Sequence, residues 1–369
     1  MTSQPVIDID ALLEPISADL PGGTNPRADS SATSLYYRVK DARNAARSAE
    51  RGALDAEAGT PEEWDQVLSS SLQLITTQAK DLEIAAWLTE ALVRVEGFAG
   101  LRDGLTLIGG LVERFWDGLF PEPDEDGLET KVGPVAGLSG SGAPGTLSEP
   151  IRTLPFTRGV KGRYSLWHYQ QAADLEKVTD QARRDARIKT GAITMEQFRQ
   201  SMKETPDEEI REIFGAIEGS LAAIGTMGAA FEKVAGNDAP STSALRDLLQ
   251  QVASAIRFVA GDKLAVAAAE AAMAEPAAGA PAAASPGAAA PAPRRTEGFA
   301  SRDEALAELT KIAAYFRKTE PHSPLSYTID EAVRRGRLSL PELLAELAQD
   351  PAHIKYILQT AGIRELPKV

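Results

Sequence analysis

Residues 79–121 carry the feature that most constrains the fold, which is a pair of apolar stripes with the period of an α-helix. In each stripe, one over residues 85–95 and the other over residues 101–119, apolar side chains recur at steps of three and four. Gly97 lies between the stripes, where a glycine tolerates the left-handed conformation past a helix end. Because helices joined by so short a turn must face each other, this stretch predicts an αα-hairpin.

The composition excludes several classes of function. The chain has 369 residues, enough for two or three domains, and its 53 acidic against 39 basic residues give a net charge of -14, which disfavours nucleic acid or an anionic membrane as a partner. The absence of cysteine excludes disulfides, thiolate nucleophiles and cysteine-ligated metals. The N-terminus lacks the pattern of a signal peptide, and we expect no window of about 20 apolar residues that could span a bilayer. We therefore expect a cytoplasmic protein.

Shifts in composition predict an all-α fold in which helical bundles are joined by a Pro/Ala-rich linker. We expect an N-terminal helical domain at 1–121, a Gly/Pro/acidic loop at 122–150 and a middle helical domain with a long antiparallel hairpin at 151–273. A linker at 274–298 follows, since its alanines and prolines cannot bury enough apolar surface to fold. The last domain, 299–369, carries signals for four short helices, a small core that self-association would help to stabilise.

Local signals place several helix starts and one extended segment. The runs 60–63, 194–197 and 205–208 each place a threonine three residues before a glutamate or glutamine, the pattern of a capping box. Ser165 is the expected N-cap of another helix. Residues 151–157 could form a short extended segment at the start of the middle domain.

The loop at 122–146 carries partial matches to two chemical motifs. The acids and glycine of residues 122–127 fit the first half of an EF-hand, but the twelfth position, which must supply a bidentate glutamate, is Gly133. Residues 137–141 lack the final glycine of a nucleophile elbow. A solvated acidic turn and a flexible linker are the better interpretation, although an enzyme or enzyme-regulating module with its site in this loop remains the alternative function.

The few histidines do not form a catalytic site in the sequence. His168 lies between two aromatic residues with no partner at ligand spacing, so we interpret it as a packing residue. Glu320, His322 and Ser323 are neighbours in a proline-restricted turn and cannot converge on one substrate atom as a triad must. We predict no catalytic residue, no metal and no cofactor.

A set of short motifs occurs in a fixed order between residues 13 and 121. These are Pro-Ile-Ser with a following Pro-x-Gly, then Asp-Leu, Trp-Leu-Thr, Gly-Phe-x-Gly-Leu and Phe-Trp-Asp-x-x-x-Pro. Together they resemble the N-terminal domain of the TssA (ImpA-type) family of type VI secretion system components. The residues that carry the resemblance are Pro15, Pro21, Gly23, Asp81, Leu82, Trp87, Gly97, Phe98, Gly100, Leu101, Trp116, Asp117 and Pro121.

A second resemblance lies beyond the linker. A phenylalanine followed by the run Glu-Pro-His-Ser-Pro is similar to the C-terminal domain of the shorter TssA type, where this run joins the first two helices. The residues concerned are Phe316, Glu320, Pro321, His322, Ser323 and Pro324.

The resemblance implies a non-enzymatic assembly component of the type VI secretion system. It implies a C-terminal domain that forms a homo-oligomeric ring, and partners among the baseplate, the Hcp tube and the TssB/TssC sheath, with no nucleic acid and no direct membrane insertion. The motif residues are then structural or interaction residues. Because large apolar side chains on a helix stripe are more often core than interface, we assign neither Trp87 nor Trp116 to a partner contact.

Overall fold

The computed structural model describes residues 4–52, 60–125, 127–140, 142–160, 162–274, 302–319 and 325–338. The chain divides into two compact units, one within residues 1–278 and the other within residues 279–369. The regular elements of the described residues are helices, and their β-pairing is limited to isolated bridges. This agrees with the predicted all-α class.

The first unit contains twelve α-helices among its described residues. They are α1 (Ile9–Leu12), α2 (Leu35–Gly52), α3 (Glu63–Thr77), α4 (Leu82–Val95), α5 (Gly97–Phe115), α6 (Glu129–Ser139), α7 (Ser148–Thr153), α8 (Leu166–Glu176), α9 (Gln181–Lys189), α10 (Met195–Glu204), α11 (Asp207–Ala235) and α12 (Ser243–Ala274). The described part of the second unit contains α13 (Arg302–Thr319) and α14 (Leu325–Arg337).

Helices α4 and α5 form the predicted hairpin at the centre of the first unit. Nearly every side chain of α4 is buried, because α3, α5 and α6 pack around it. Gly97 reverses the chain between the two helices with a φ of +64°, as its place between the stripes predicts. Gly100 lets α5 approach α4 closely, since a Cβ atom there would lie 2.2 Å from the carbonyl oxygen of Leu92.

Helices α11 and α12 form the predicted long antiparallel hairpin, but this hairpin belongs to the same core as the N-terminal residues. α11 packs against α5 along one side and against α12 along another. Its fully buried Ile217, Ile224 and Phe231 join one apolar cluster that runs from Leu12 to Ala260. The predicted boundary at residue 121 therefore does not separate two hydrophobic cores.

Helix α11 also departs from the expectation about membranes. Among the described residues, α11 and the turn that follows it, residues 207–238, have the length and apolar composition of a helix that could cross a bilayer, whereas no such window was expected. The same apolarity has a local use here, because α11 lies between two other helices and buries side chains against both. Such an environment is that of a core helix in a bundle.

Residues 122–150, predicted as loop, contain two helices, and this prediction was wrong. α6 includes Pro134 in its interior, and glycine and proline residues flank it, so its propensity is that of a loop. Val132, Val135 and Leu138 nevertheless recur at steps of three and are buried where α6 packs on α4. Burial of these three side chains outweighs the unfavourable propensity. The predicted extended segment at 151–157 was also wrong in its first half, because α7 extends to Thr153.

Of the four helix starts predicted between residues 60 and 208, two were confirmed and two were wrong in their capping bonds. Ser165 and Thr194 both form capping boxes, the first with His168 and the second with Gln197. The threonines at the two other predicted starts make different bonds. Thr60 donates its hydroxyl to the carbonyl of Arg94, and Thr205 donates to the carbonyl of Ser201, so neither caps the helix that follows. In each of these two cases a proline follows the threonine, and the helix begins after the proline.

The second unit confirms the first two predicted C-terminal helices as α13 and α14. Ala313 and Val333 are buried, whereas Leu309 and Ile312 of α13 are more than a third exposed. The two remaining predicted helices and residues 275–298 of the predicted linker lie outside the described residues.

We predict that Gly100→Ala lowers the free energy of unfolding by about 1–3 kcal/mol, because the added methyl group meets a backbone carbonyl of α4 rather than a movable side chain. The matched control is Gly225→Ala in α11, where an added Cβ atom has no neighbour within 4 Å. This control should gain about 0.5–1 kcal/mol from helix propensity. Urea denaturation of both variants tests the prediction, and equal stabilities would contradict it.

Candidate interaction site

Backbone hydrogen bonds tie three distant segments of the first unit together, in an arrangement we call the backbone clamp. It comprises residues 22–24, 78–82 and 118–121. The amide of Lys80 donates to the carbonyl of Gly22 with an N–O distance of 2.8 Å, and the amide of Phe120 donates to the carbonyl of Lys80 at 3.0 Å. The amide of Leu82 donates to the carbonyl of Phe120 at 2.7 Å. The clamp thus fixes the start of α4 against the chain that leaves α5.

The two glycines of the clamp are required by close approach of the backbone. A Cβ atom on Gly22 would lie 2.1 Å from the carbonyl oxygen of Gly118, and one on Gly23 would lie 2.1 Å from that of Gln78. Gly23 also has a φ of +80°, which disfavours other residues. Of these two, the family motif singled out only Gly23.

Lys80, whose backbone is part of the clamp, is a fully buried cation that no sequence pattern predicted. Its Nζ donates to the carbonyls of Leu12 at 2.8 Å and Ile75 at 2.9 Å, and lies 5.5 Å from the centre of the Phe115 ring. Burial lowers the pKa of Lys80 to about 8, although the charge of Glu14 acts in the opposite direction. The family motif includes the next residue, Asp81, but it does not indicate that Lys80 is buried.

Asp81 connects the clamp to α2 through a network of charges. Its carboxylate caps α4 by accepting the amides of Glu83 and Ile84, and it accepts a hydrogen bond of 2.6 Å from Arg27. Arg27 also pairs with Glu83 at 2.5 Å. Burial alone would lower the pKa of Arg27, but the bonds to the two carboxylates raise it overall. Tyr36 donates to Glu83, and burial followed by the charge of Glu83 raises the pKa of Tyr36 to about 12.

The side of α2 that faces α4 continues this network with a period of seven residues, from Tyr36 through Arg43 to Glu50. Arg43 pairs with the buried Glu90 at 2.7 Å, and its guanidinium lies 5.3 Å from the centre of the Trp87 ring. Glu50 pairs with an arginine near the end of α4. α2 is therefore held on α4 by ion pairs as well as by its small apolar residues.

A cleft of about 360 Å³ lies between α2, α4 and α6, and we call it the Trp87 cleft. Trp87 is almost fully buried and contacts Tyr36 at a ring-centre distance of 5.7 Å. Two glycines of α6, Gly133 and Gly137, have no atom within 4 Å of an added Cβ, so this wall is open. The lining residues are Lys40, Arg43, Asn44, Glu83, Ala86, Trp87, Glu90, Gly133, Pro134, Gly137 and Thr146.

The lining of the Trp87 cleft is partly charged, and its acidic groups have ion-pair partners. Its two carboxylates, Glu83 and Glu90, are both engaged by arginines. Lys40 is exposed and lies 5.8 Å from the ring of Tyr37. The lining contains no histidine or cysteine, and within the described part of the chain no group of three acidic, histidine or cysteine residues could hold a metal ion.

The other motif residues lie apart from the cleft. Gly97, Phe98, Gly100 and Leu101 form the turn and the first buried turn of α5, so they shape the hairpin. Leu82 donates one of the clamp hydrogen bonds, and Pro121 is the last residue of the clamp segment 118–121. Pro15 is exposed, and the amide that follows it donates to the carbonyl of Pro21. The motif residues therefore surround the α4–α5 hairpin and do not form one site.

Trp116 and Asp117 lie where the chain leaves α5. The Trp116 ring packs edge-on against Phe231 of α11, with ring centres 6.2 Å apart, and its carbonyl accepts a hydrogen bond of 2.6 Å from Lys131. Burial lowers the pKa of Lys131, and the charge of the exposed Asp117 acts in the opposite direction. Trp116 therefore links α5, α6 and α11 rather than presenting a free surface.

In the second unit only Phe316 of the second motif can be placed, on α13, where it is partly buried. Residues 320–324 of that motif lie outside the described residues. In the first unit, His168 accepts the amide hydrogen bond of Ser165 through Nδ1, with its ring between those of Tyr164 and Trp167. Burial lowers the pKa of His168, which is consistent with the packing interpretation.

Comparisons with known proteins give the same family in three ways. Residues 13–140 match the ImpA N-terminal family of the type VI secretion system. The chain is 27% identical to the type VI secretion system component TssA1 of Pseudomonas aeruginosa over 348 residues, which are 94% of this chain and 96% of the relative. It is similar, with a TM-score of 0.58 and 28% identity, to a solved N-terminal domain that includes the conserved ImpA_N region of TssA from Burkholderia cenocepacia, covering 70% of this chain and 96% of that one.

We predict that Lys80 makes the protein more stable as the pH rises from 7.5 to 9.5. The pKa of Lys80 is lower in the folded protein than in the unfolded chain, so the unfolded chain binds more protons in this range. Raising the pH then favours the folded state, by about 2 kcal/mol over these two pH units. Urea denaturation of the wild type and of Lys80→Met, whose stability lacks this term, measures the difference. Parallel pH profiles for the two proteins would contradict it.

Proposed function

Because the chain belongs to the TssA family of type VI secretion system components, we propose that it is a non-enzymatic assembly protein. In this proposal it recruits or stabilises the baseplate and coordinates assembly of the tube and the sheath. The observation that carries the proposal is the similarity to TssA1, which extends along almost the entire length of both chains. The proposed partners are baseplate proteins, the Hcp tube and the TssB/TssC sheath, and the proposed location is the cytoplasm.

We propose further that the C-terminal domain assembles into a homo-oligomeric ring and belongs to the shorter type. Two observations support this. The Phe316 motif resembles that type, and α13 and α14 expose four large apolar side chains, Leu309, Ile312, Tyr315 and Tyr327. A ring would carry many copies of the first unit, so that weak contacts with a repetitive partner would gain from effective concentration.

Within the first unit, the Trp87 cleft is the proposed contact site. It is lined by a motif residue and by charged side chains, and its volume is in the range of binding pockets. One observation favours the alternative of an enzyme or regulatory module at 122–146, namely that α6 and Thr146 line this cleft. The engaged carboxylates and the composition of the lining support binding over catalysis.

Removing the second unit should abolish oligomer formation and leave the first unit folded. The change is a chain that ends at residue 278, where the first compact unit ends. Light scattering coupled to size exclusion should give a high-order oligomer for the full chain and a much smaller species for the truncated chain. A full chain that stays monomeric at high concentration, or a truncated chain of unchanged oligomeric order, would contradict the ring.

Filling the Trp87 cleft should weaken capture of partners without changing the oligomer. We propose Gly137→Leu, because an added side chain there enters open space and projects from the cleft wall. Co-purification with baseplate, Hcp and sheath proteins should fall about tenfold or more for at least one of these partners. The matched control is Gly225→Leu, at another helical glycine with open space. Equal capture by both variants would exclude the cleft, and turnover of a substrate would exclude the assembly role.

A further inference from the structure

Helix α9 has no buried side chain, so packing does not explain why it is helical. An isolated helix of nine residues is marginal in water. Here local bonds support both ends. The carboxylate of Asp180 accepts the amide of Arg183 at 3.1 Å, and Gly191 turns the chain with a φ of +98°. The amides of Thr190 and Ala192 donate to carbonyls of the last turn. The chain thus holds a short helix in place on its surface.

The exposed faces of α9 are strongly basic. The helix contains one acid, Asp185, and four cations, Arg183, Arg184, Arg187 and Lys189. The net charge of the whole chain, by contrast, is -14. At about 100° per residue, the three arginines lie within an arc of about 100°. All of these cations are exposed except Arg184, which is partly buried.

The arginines of α9 have no ion-pair partner in the part of the chain that the structure describes. Asp174 is bound to Lys177, which is the main cause of its lowered pKa, and Arg187 adds only a smaller, longer-range effect. Elsewhere in the unit arginines such as Arg43 and Arg94 are paired at 2.7 Å or less. Like charges one turn apart destabilise a helix, so this face opposes the stability of α9 itself.

We propose that the arginine face of α9 docks a partner protein through a helix that carries carboxylates one turn apart. Arg183 and Arg187 are separated by one turn, which matches the spacing of acidic residues at i and i+4 on such a helix. The guanidinium group pairs with a carboxylate through two parallel hydrogen bonds, which favours arginine over lysine in protein contacts. Ile188, 37% exposed and one turn from Arg184, supplies an apolar contact beside the charges.

The charge of the whole chain decides between a protein and an extended polyanion as the partner. Nucleic acid or an anionic bilayer would be repelled by the net charge of -14 over distances longer than the nine residues of α9. A partner helix with a few local carboxylates meets only the basic face. This surface lies in the first unit and does not depend on ring formation, so the inference stands or fails separately from the proposed function.

The test uses the full chain and two labelled alanine-based helical peptides of equal composition. One peptide carries glutamates at i and i+4, and the other carries them at i and i+2. Fluorescence anisotropy at about 50 mM salt, where surface charges are weakly screened, should show preferential binding of the first peptide. Arg183→Glu with Arg187→Glu should weaken that binding about tenfold or more. Arg183→Lys with Arg187→Lys, which keeps the charge but removes the paired geometry, should give an intermediate loss.

The matched control is Arg199→Glu with Lys203→Glu on α10, two exposed cations that are also one turn apart. This variant has the same net charge as the α9 variant and should bind the first peptide as the wild type does. Circular dichroism checks that both variants stay folded. Equal binding of the two peptides, equal losses in the two charge-reversal variants, or no binding would overturn the proposal. Binding of duplex DNA or of phosphatidylglycerol vesicles through Arg183 and Arg187 in place of the peptide would also overturn it.

Discussion

The structure of the first unit depends on the backbone clamp around Lys80. One residue there bonds through its amide to Gly22 and through its carbonyl to Phe120, while its side chain bonds to the carbonyls of two further segments. The clamp brings together the N-terminal turn, the start of α4 and the exit from α5. The next residue, Asp81, then caps α4 and pairs with Arg27. The α4–α5 hairpin, the clamp and α2 are therefore held together through two adjacent residues, Lys80 and Asp81.

This arrangement explains what the motif residues have in common. Gly23, Asp81 and Leu82 hold the clamp, whereas Gly97 and Gly100 permit the close turn and packing of α4 and α5. They are distant in sequence from one another, but each acts on the same hairpin. Trp87 differs from them, because it also lines a cleft. The motif residues thus chiefly stabilise the fold, and Trp87 is the one among them that lines the proposed contact site.

The sequence predicted the elements whose determinants are local. The stripes of α4 and α5, the left-handed Gly97, the N-cap at Ser165 and the capping box that begins at Thr194 depend on residues a few positions apart, and they are present in the structure. α6 was missed because glycine and proline indicate a loop, while its stability comes from burial against α4. The local sequence pattern was therefore insufficient to predict α6.

The candidate site was less predictable for a related reason. The pairs between Arg27 and Asp81 and between Arg43 and Glu90 join residues more than 40 positions apart, and no local pattern announces them. The burial of Lys80 likewise depends on carbonyls from α1 and α3. What the sequence did indicate was the family and several of its structural residues.

The position of α11 has a consequence for the limits of the family region. The similarity to the ImpA N-terminal family stops at residue 140, yet the apolar side of α5 is covered by α11, which begins at Asp207. The C-terminal limit of the family match is therefore not a limit of the hydrophobic core. A fragment that ends at residue 140 would expose the apolar side of α5 to solvent. The smallest fragment that keeps this side buried therefore includes the α11–α12 hairpin.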